Sequence, residues 1–274
     1  REGGRRRGRL RARPTGVSPV PFNNPNGIRW STAIGYLGLS RHRLNLTIRA
    51  NCTTHRVIFE GKRAVGVEVE SGGEKFTVYG DEIILSSGAI GSPHILMLSG
   101  VGPAAHLKEM GVPVVHDLAG VGQNLRDHPI VFVTWKTKPD VELDGFAPRT
   151  QACLRYTAEG SDLRNDMQLS PMLMTSEHRP AQVVVDDDAN YIGMSASLQL
   201  AMGAGELTLT STDPHVQPFL NYNYYQEPED LRRMREAIRL GVRLAESTEF
   251  SAILLDRVIP TDEDLASDTT LDDW

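Results

Sequence analysis

Cysteine is scarce: Cys52 and Cys153 are the only two in 274 residues, and they lie far apart in sequence. That spacing excludes a disulfide framework and a CxxC metal or redox site, and it leaves two reduced packing residues. No run of about 18 apolar residues occurs, so no helix is expected to span a membrane. No basic-then-apolar stretch opens the chain as a secretory leader would, and the expected location is the cytoplasm. Positive charge is in deficit, with a formal net charge of −6. A general nucleic-acid binder leaves a basic footprint, so that class is excluded. Three chemical signatures are also missing: the P-loop, the G-x-S-x-G nucleophile elbow and H-E-x-x-H. NTPase, hydrolase and zincin readings fall with them. The 8 histidines include no pair within four residues of one another, so none makes a helix-borne metal pair. His42, His55, His94, His106, His116, His128, His178 and His215 are read as surface or capping groups. Asp186-Asp187-Asp188 lacks the alternating oxygen ligands and glycine of a calcium loop and is read as solvated. No metal is expected.

What remains is ordinary globular material, 40% apolar and 23% charged, enough for one or two cores. The two ends differ from it. Residues 1–13 carry seven arginines against one glutamate, with neither aromatics nor an apolar face. The range 1–16 is therefore read as a disordered or out-of-frame arm rather than a nucleic-acid or membrane arm. At the other end Ser267 stands as an N-cap ahead of Leu271 and Trp274, a first helical turn where the sequence stops. Both edges give the expectation of a fragment.

Between them, Asn23 to Gly27 is dense in turn formers, and a short helix follows with Trp30, Ile34 and Leu37 on one face. Residues 45–50, 55–60 and 64–71 read as a three-stranded meander. Ile83, Ile84 and Leu85 form a continuous apolar run, the pattern of a strand covered on both faces in an α/β sheet. Two helical stretches follow, stopped by Gly100 and Gly111, and then a short strand at 112–118. Beyond Pro129 the pattern changes to alternating runs at 130–136, 167–173, 196–201 and 205–212, the signature of a mainly antiparallel sheet. A boundary is placed there. Residues 228–247 are the clearest helix, with Pro228 early, acids in the first turn and a stripe of Leu231, Met234, Ile238, Val242 and Ala245. The arginines at 232, 233, 235, 239 and 243 are read as its solvated face.

Chemistry concentrates where the apolar run ends in Ser86-Ser87-Gly88-Ala89 and a helix begins near Ser92-Pro93. Open α/β sheets bind ligands at such strand ends. Gly88 and Ala89 leave room for a ribose or diphosphate to reach the backbone, and the N–H groups of a helix start favour an anion. Strand-glycine-helix turns are common, and a plain structural turn stands beside that reading.

The longer pattern is more specific. The run from Gly88 through Gly91-Ser92-Pro93-His94 to Gly102-Pro103, continued as Val121-Gly122-Gln123-Asn124-Leu125-Arg126-Asp127-His128-Pro129, resembles the second signature of the glucose-methanol-choline oxidoreductases. The stretch from Gly27 through Val69, with its R-V-I-F-E-G-K-R-A-V-G-V-E-V run, resembles the same family in the same order, nearest its choline-dehydrogenase-like flavoproteins. The resemblance spans residues 17–274. It implies an α/β (α+β) architecture, namely part of a glutathione-reductase-type FAD-binding domain plus a substrate domain with a mainly antiparallel sheet. The ranges would be 17–129 for the FAD part, 130–258 for the substrate part and 259–274 for the start of a return to the first. It also implies FAD as cofactor and oxidation of the CH–OH group of an alcohol (choline-like, aliphatic or sugar), with oxygen or another electron acceptor. By position, Thr54 would meet the adenine through its backbone. Ser87, Gly88 and Ala89 would wall the ribose and diphosphate, and Asn124, Asp127 and His128 would lie where the chain returns to the cofactor, or simply stabilise a turn. The family's GxGxxG fingerprint, its early flavin-facing HGGSS segment and its catalytic His with a His or Asn partner do not occur here. No catalytic residue is therefore assigned, and the chain alone is expected to be inactive. A non-catalytic binding module is the alternative. A different flavoprotein, with two dinucleotide folds and using NAD(P)H, would need a second glycine fingerprint, and none occurs.

Overall fold

The structure, a computed structural model, describes residues 15–142, 148–174 and 189–274. Asp186–Asp188, His178 and nearly all of the arginine-rich arm lie outside the described residues. Along the chain come β1 (Gly16–Pro19), a π-helical turn at Ala33–Leu37 running into α1 (Gly38–Ser40), then β2 (Thr53–Glu60), β3 (Arg63–Ser71) and β4 (Glu74–Tyr79). Next are α2 (Gly88–Leu98), β5 (Val101–Gly102), α3 (Ala104–Glu109), β6 (His116–Asp117) and β7 (Gln123–Leu125). They are followed by β8 (Ile130–Thr137), β9 (Ala152–Tyr156), β10 (Met167–Met174), β11 (Tyr191–Leu198), β12 (Gly205–Thr208) and β13 (Phe219–Asn221). The chain closes with α4 (Pro228–Ala245), α5 (Thr248–Ser251), β14 (Leu254–Ile259), α6 (Asp262–Leu265) and α7 (Asp268–Asp273).

Two compact units divide these elements, and each draws on separated stretches of chain. One holds Phe22–Arg126 and Ala204–Tyr224; the other holds the described residues among 127–203, Tyr225–Trp274 and, near the start, residues 15–21. The division at 126/127 falls close to Pro129. The units depart from the sequence ranges in three places, each for a pairing reason. Residues 17–21 join the antiparallel unit because β1 pairs with β9. Residues 204–224 leave the antiparallel unit because β12 pairs with β7 and β13 in a sheet of its own. Residues 259–274 stay with it because β14 pairs with β8 and Leu271 of α7 enters its core.

In the first unit the expected meander forms, with one strand exchanged. β2, β3 and β4 pair antiparallel, so Lys75–Tyr79 supplies the third strand, and residues 45–50 pair with nothing among the described residues. Their apolar residues lack the neighbour that would convert β-propensity into a ladder. The same reason corrects Ile83–Leu85: a parallel strand covered on both faces needs partners on both sides, none is present among the described residues, and Ile84 is exposed. The parallel pair described is short, Val101 with His116 and Gly102 with Asp117. α2 starts at Gly88, earlier than Ser92-Pro93, so Pro93 lies inside it. Gly100 and Gly111 end α2 and α3 with positive φ of 83° and 74°, as the stop signals required. Met97 and Leu107 from these helices, with Val112, Val121, Leu207 and Leu209, make the core of this unit.

The second unit is a six-stranded sheet in the order β1-β9-β10-β11-β8-β14, antiparallel throughout, with α4 packed on it. All eight residues of β11 are buried, and Gly193 lies where a Cβ would run into the Met174 methyl. α4 buries Met234, Ala237, Ile238, Gly241 and Ala245, and Gly241 lets the helix approach Met194. The arginine reading is half right. Arg232, Arg235 and Arg239 pair with acids near the surface, but Arg233 has no exposed area and is held between Asp166 and Asp230. A capping box of Ser267 and Thr270 starts α7, as expected of Ser267. No helix among the described residues is long and apolar enough to cross a membrane.

Candidate functional site

A cleft of about 380 Å³ opens in the first unit where the start of α2 faces the loop at residues 120–126. Its first wall is Ala89, Ser92 and Pro93. The local sequence explains that wall. Gly88 enters the helix at φ 82°, a conformation open to glycine, and a Cβ at Gly91 would come within 2.8 Å of the Ser87 Cβ. The Ser92 hydroxyl accepts from the Ser87 N–H at 3.1 Å, while no side chain caps the helix. The first-turn N–H groups therefore face outward with the positive end of the helix dipole.

The second wall is fixed just as firmly. Gly122 has φ 82°, and a Cβ there would run into the Leu207 carbonyl oxygen. Leu207 N–H donates to the Gly122 carbonyl at 2.6 Å, which locks the loop onto β12. Asn124 follows with φ 65°, a conformation that Asn tolerates better than most residues. Arg126 completes the wall, and no carboxylate lines the cleft. Burial pushes the His94 imidazole below its ordinary value, which disfavours a charge on α2. Small residues, helix N–H groups and a guanidinium around a cleft without acids form a donor set suited to an anion such as a diphosphate.

The residues expected at the cofactor fall into three groups. Ala89 and Asn124 line the cleft together. Ser87 and Gly88 stand at the exposed helix start beside it, and Thr54 lies elsewhere in the same unit, half-buried on β2 opposite Val69. Asp127 and His128 belong to the second unit, where the Asp127 carboxylate accepts from the His128 N–H at 2.7 Å, the arrangement of a turn. Sequence reasoning missed Arg126, although it sits inside the same Gln-Asn-Leu-Arg-Asp-His run. It also read the histidines too uniformly. His106 accepts from the Leu209 N–H at 2.9 Å, and His55 and His215 meet at Glu70.

The fold recurs in solved structures. The structure is similar to a formate oxidase of Aspergillus oryzae with TM-score 0.82 at 22% identity, covering 94% of this chain and 54% of that one. It is equally similar to a pyridoxine 4-oxidase of Mesorbium loti, with TM-score 0.82 at 22% identity over 94% of this chain and 51% of that one. Residues 6–130 and 202–274 match two family models, each described as GMC oxidoreductase. The chain belongs to the GMC oxidoreductase family. Among curated relatives, it is 30% identical to an oxygen-dependent choline dehydrogenase of Photobacterium profundum over 94% of this chain and 49% of that protein. It is 37% identical to the one of Paraburkholderia phymatum over 78% of this chain and 41% of that protein. The chain thus spans about half the length of the curated relatives it matches.

Proposed function

We propose that this chain is part of an FAD-dependent oxidoreductase that oxidises the CH–OH group of a small alcohol, choline-like, aliphatic or sugar. The single observation that carries the cofactor assignment is the acid-free cleft shared by Ala89 and Asn124, in a chain of this family. FAD bound there would supply a hydride acceptor for the alcohol carbon. The chain's own residues would bind and orient. Ala89 leaves the backbone accessible, the first turn of α2 donates N–H groups to a diphosphate, and Arg126 offsets its charge. Ser87 and Gly88 would border the ribose, and Thr54 would offer its main chain to the adenine. Asn124 would close the diphosphate side, and Asp127 and His128 would order the turn that follows. The unit built on 22–126 and 204–224 would carry the flavin, and the six-stranded sheet unit would face the substrate.

No histidine of this sequence adjoins another, so we assign no general base within it. The chain alone should bind flavin without turning over alcohol. Flavin fluorescence titrated with the purified chain tests both halves of the proposal. Saturable binding that Ala89→Glu weakens about tenfold or more supports it, since a carboxylate facing a diphosphate costs more than about 1.4 kcal/mol. Absence of saturable binding, or equal binding by the variant, overturns the cleft assignment. Bleaching of the flavin by choline under anaerobic conditions overturns the inactivity of the isolated chain.

A further inference from the structure

His55, Glu70 and His215 bring their ligand atoms within 4.8 Å of one another in the first unit, away from the cleft. We propose that they form a divalent transition-metal site of the Zn²⁺ type, a His-Glu-His set with its fourth position open to solvent. The inference is independent of the flavin assignment.

Three features of the chain build this cluster. First, β2 and β3 slip register between Thr54–Val69 and Arg56–Glu68, so His55 is the extra residue of a β-bulge. A bulge re-aims one side chain out of the alternation, and here it turns His55 inward, 7% exposed. Second, Glu70 stands opposite Thr53 on β3, with its carboxylate 3.0 Å from the His55 Nε2. That nitrogen is buried and makes no hydrogen bond, so the contact lacks hydrogen-bond alignment and the lone pair has no other use. An unsatisfied buried nitrogen is destabilising, and a bound cation would relieve it. Third, His215 sits in the loop after β12, where its N–H donates to the Asp213 carboxylate at 2.9 Å. Its Nε2 lies 3.7 Å from the same Glu70 oxygen, and its ring meets the His55 ring edge-on at 89°.

The spacing suits the ion. Tetrahedral Zn²⁺ with bonds of about 2.1 Å places its donors about 3.4 Å apart, and the separations of 3.0 and 3.7 Å lie on either side of that value. Two imidazoles and one carboxylate are also the donor types this metal takes with an open position. Arg56, next along β2, is engaged with Glu68 at 3.0 Å and is not paired with Glu70 in the competing role of counter-charge. His215 is 53% exposed, so an ion could enter from solvent. Bound metal would tie the loop after β12 to the β2–β3 hairpin.

The test is Zn²⁺ titration of the untagged, chelator-treated chain against a chromogenic competitor, with Co²⁺ absorption as a second probe. One equivalent should bind, with affinity at least about tenfold weaker in His215→Ala and in Glu70→Gln, and unchanged in His42→Ala. His215 is on an exposed loop and Glu70→Gln keeps the side-chain shape, so circular dichroism should report both variants folded. Failure to bind one equivalent, or undiminished binding in both folded variants, overturns the site.

Discussion

Replacing Arg233 with Met should be among the most damaging single changes in the six-stranded unit. The guanidinium has no exposed area, and it donates to Asp166 Oδ2 at 2.6 Å, to Asp230, to the Leu200 carbonyl at 3.2 Å and to the Glu229 carbonyl at 3.3 Å. Its two acids are just as deeply placed. Asp166 also accepts from Ala158 N–H and the Ser161 hydroxyl, and Asp230 from the Met202 and Gly203 N–H groups, so the triad pins two loops against α4. Without Arg233 two carboxylates remain buried with no counter-charge, a situation that costs about 3–5 kcal/mol. Urea unfolding followed by Trp135 fluorescence measures it. pH gives a second handle. Burial pushes the Asp166 carboxyl up, but the Ser161 hydroxyl, Arg233 and the Ala158 N–H outweigh it, and the net value lies below the usual carboxylate range. A depressed folded value stabilises fully above the unfolded pKa of about 3.9 and is lost as pH falls through the folded value. In Arg233→Met the carboxyl loses its cation and its value rises from that of the wild type, so acid relieves the variant more than the wild type. The stability gap from wild type should therefore shrink as pH falls from about 7 toward 4. A cost below about 1 kcal/mol, or a gap that widens in acid, would refute the reasoning.

Three smaller perturbations follow, two in the first unit and one on the edge strand β1 of the second. Gly122→Ala combines a positive φ with a Cβ aimed at a backbone carbonyl and should cost about 1–3 kcal/mol or more, whereas Gly111→Ala meets nothing within 4 Å and should lose only the conformational part. Equal melting temperatures for the two variants would contradict the clash. Ser99→Ala should cost about 1–3 kcal/mol, because the buried Ser99 hydroxyl accepts from Val57 N–H at 2.8 Å and its loss leaves that donor unsatisfied. Hydrogen exchange at Val57 checks it, with faster exchange in the variant expected and an unchanged rate counting against the bond. Val17→Asp, on β1 with 75% exposure, should leave the melting temperature of either unit unchanged, and a drop of several degrees would mean that this edge is covered.

The elements that local chemistry decides were legible. α4 announces itself through Pro228, its first-turn acids and a stripe of period near 3.6, and Gly100 and Gly111 mark helix ends because their backbones turn left-handed there. Hairpin strands with turn glycines between them were legible for the same reason. What depends on a distant partner was not. Residues 45–50 and 83–85 carry strand-like side chains, but a strand exists only where a neighbour takes its hydrogen bonds. Residues 205–208 alternate as a sheet strand should, and nothing local reveals that their partners are β7 and β13 rather than β11. Arg233 differs from its exposed neighbours through partners that include Asp166, a loop residue brought beneath the helix by the fold. At the site, the small residues Gly88 and Ala89 and the positive-φ pair Gly122 and Asn124 were readable as a pattern. The meeting of His55 with His215 needed the bulge and the loop together, and neither shows in a spacing rule.

The most direct test of the central claim is the flavin titration of the wild-type chain beside Ala89→Glu, read by flavin fluorescence with the melting temperature of each protein as a control. Ala89 is exposed at the helix start, so the substitution should leave the fold intact. The account predicts saturable binding by the wild type and affinity about tenfold or more weaker in the variant at equal stability. Equal affinity in the two proteins, or no saturable binding by a folded wild-type chain, would contradict it.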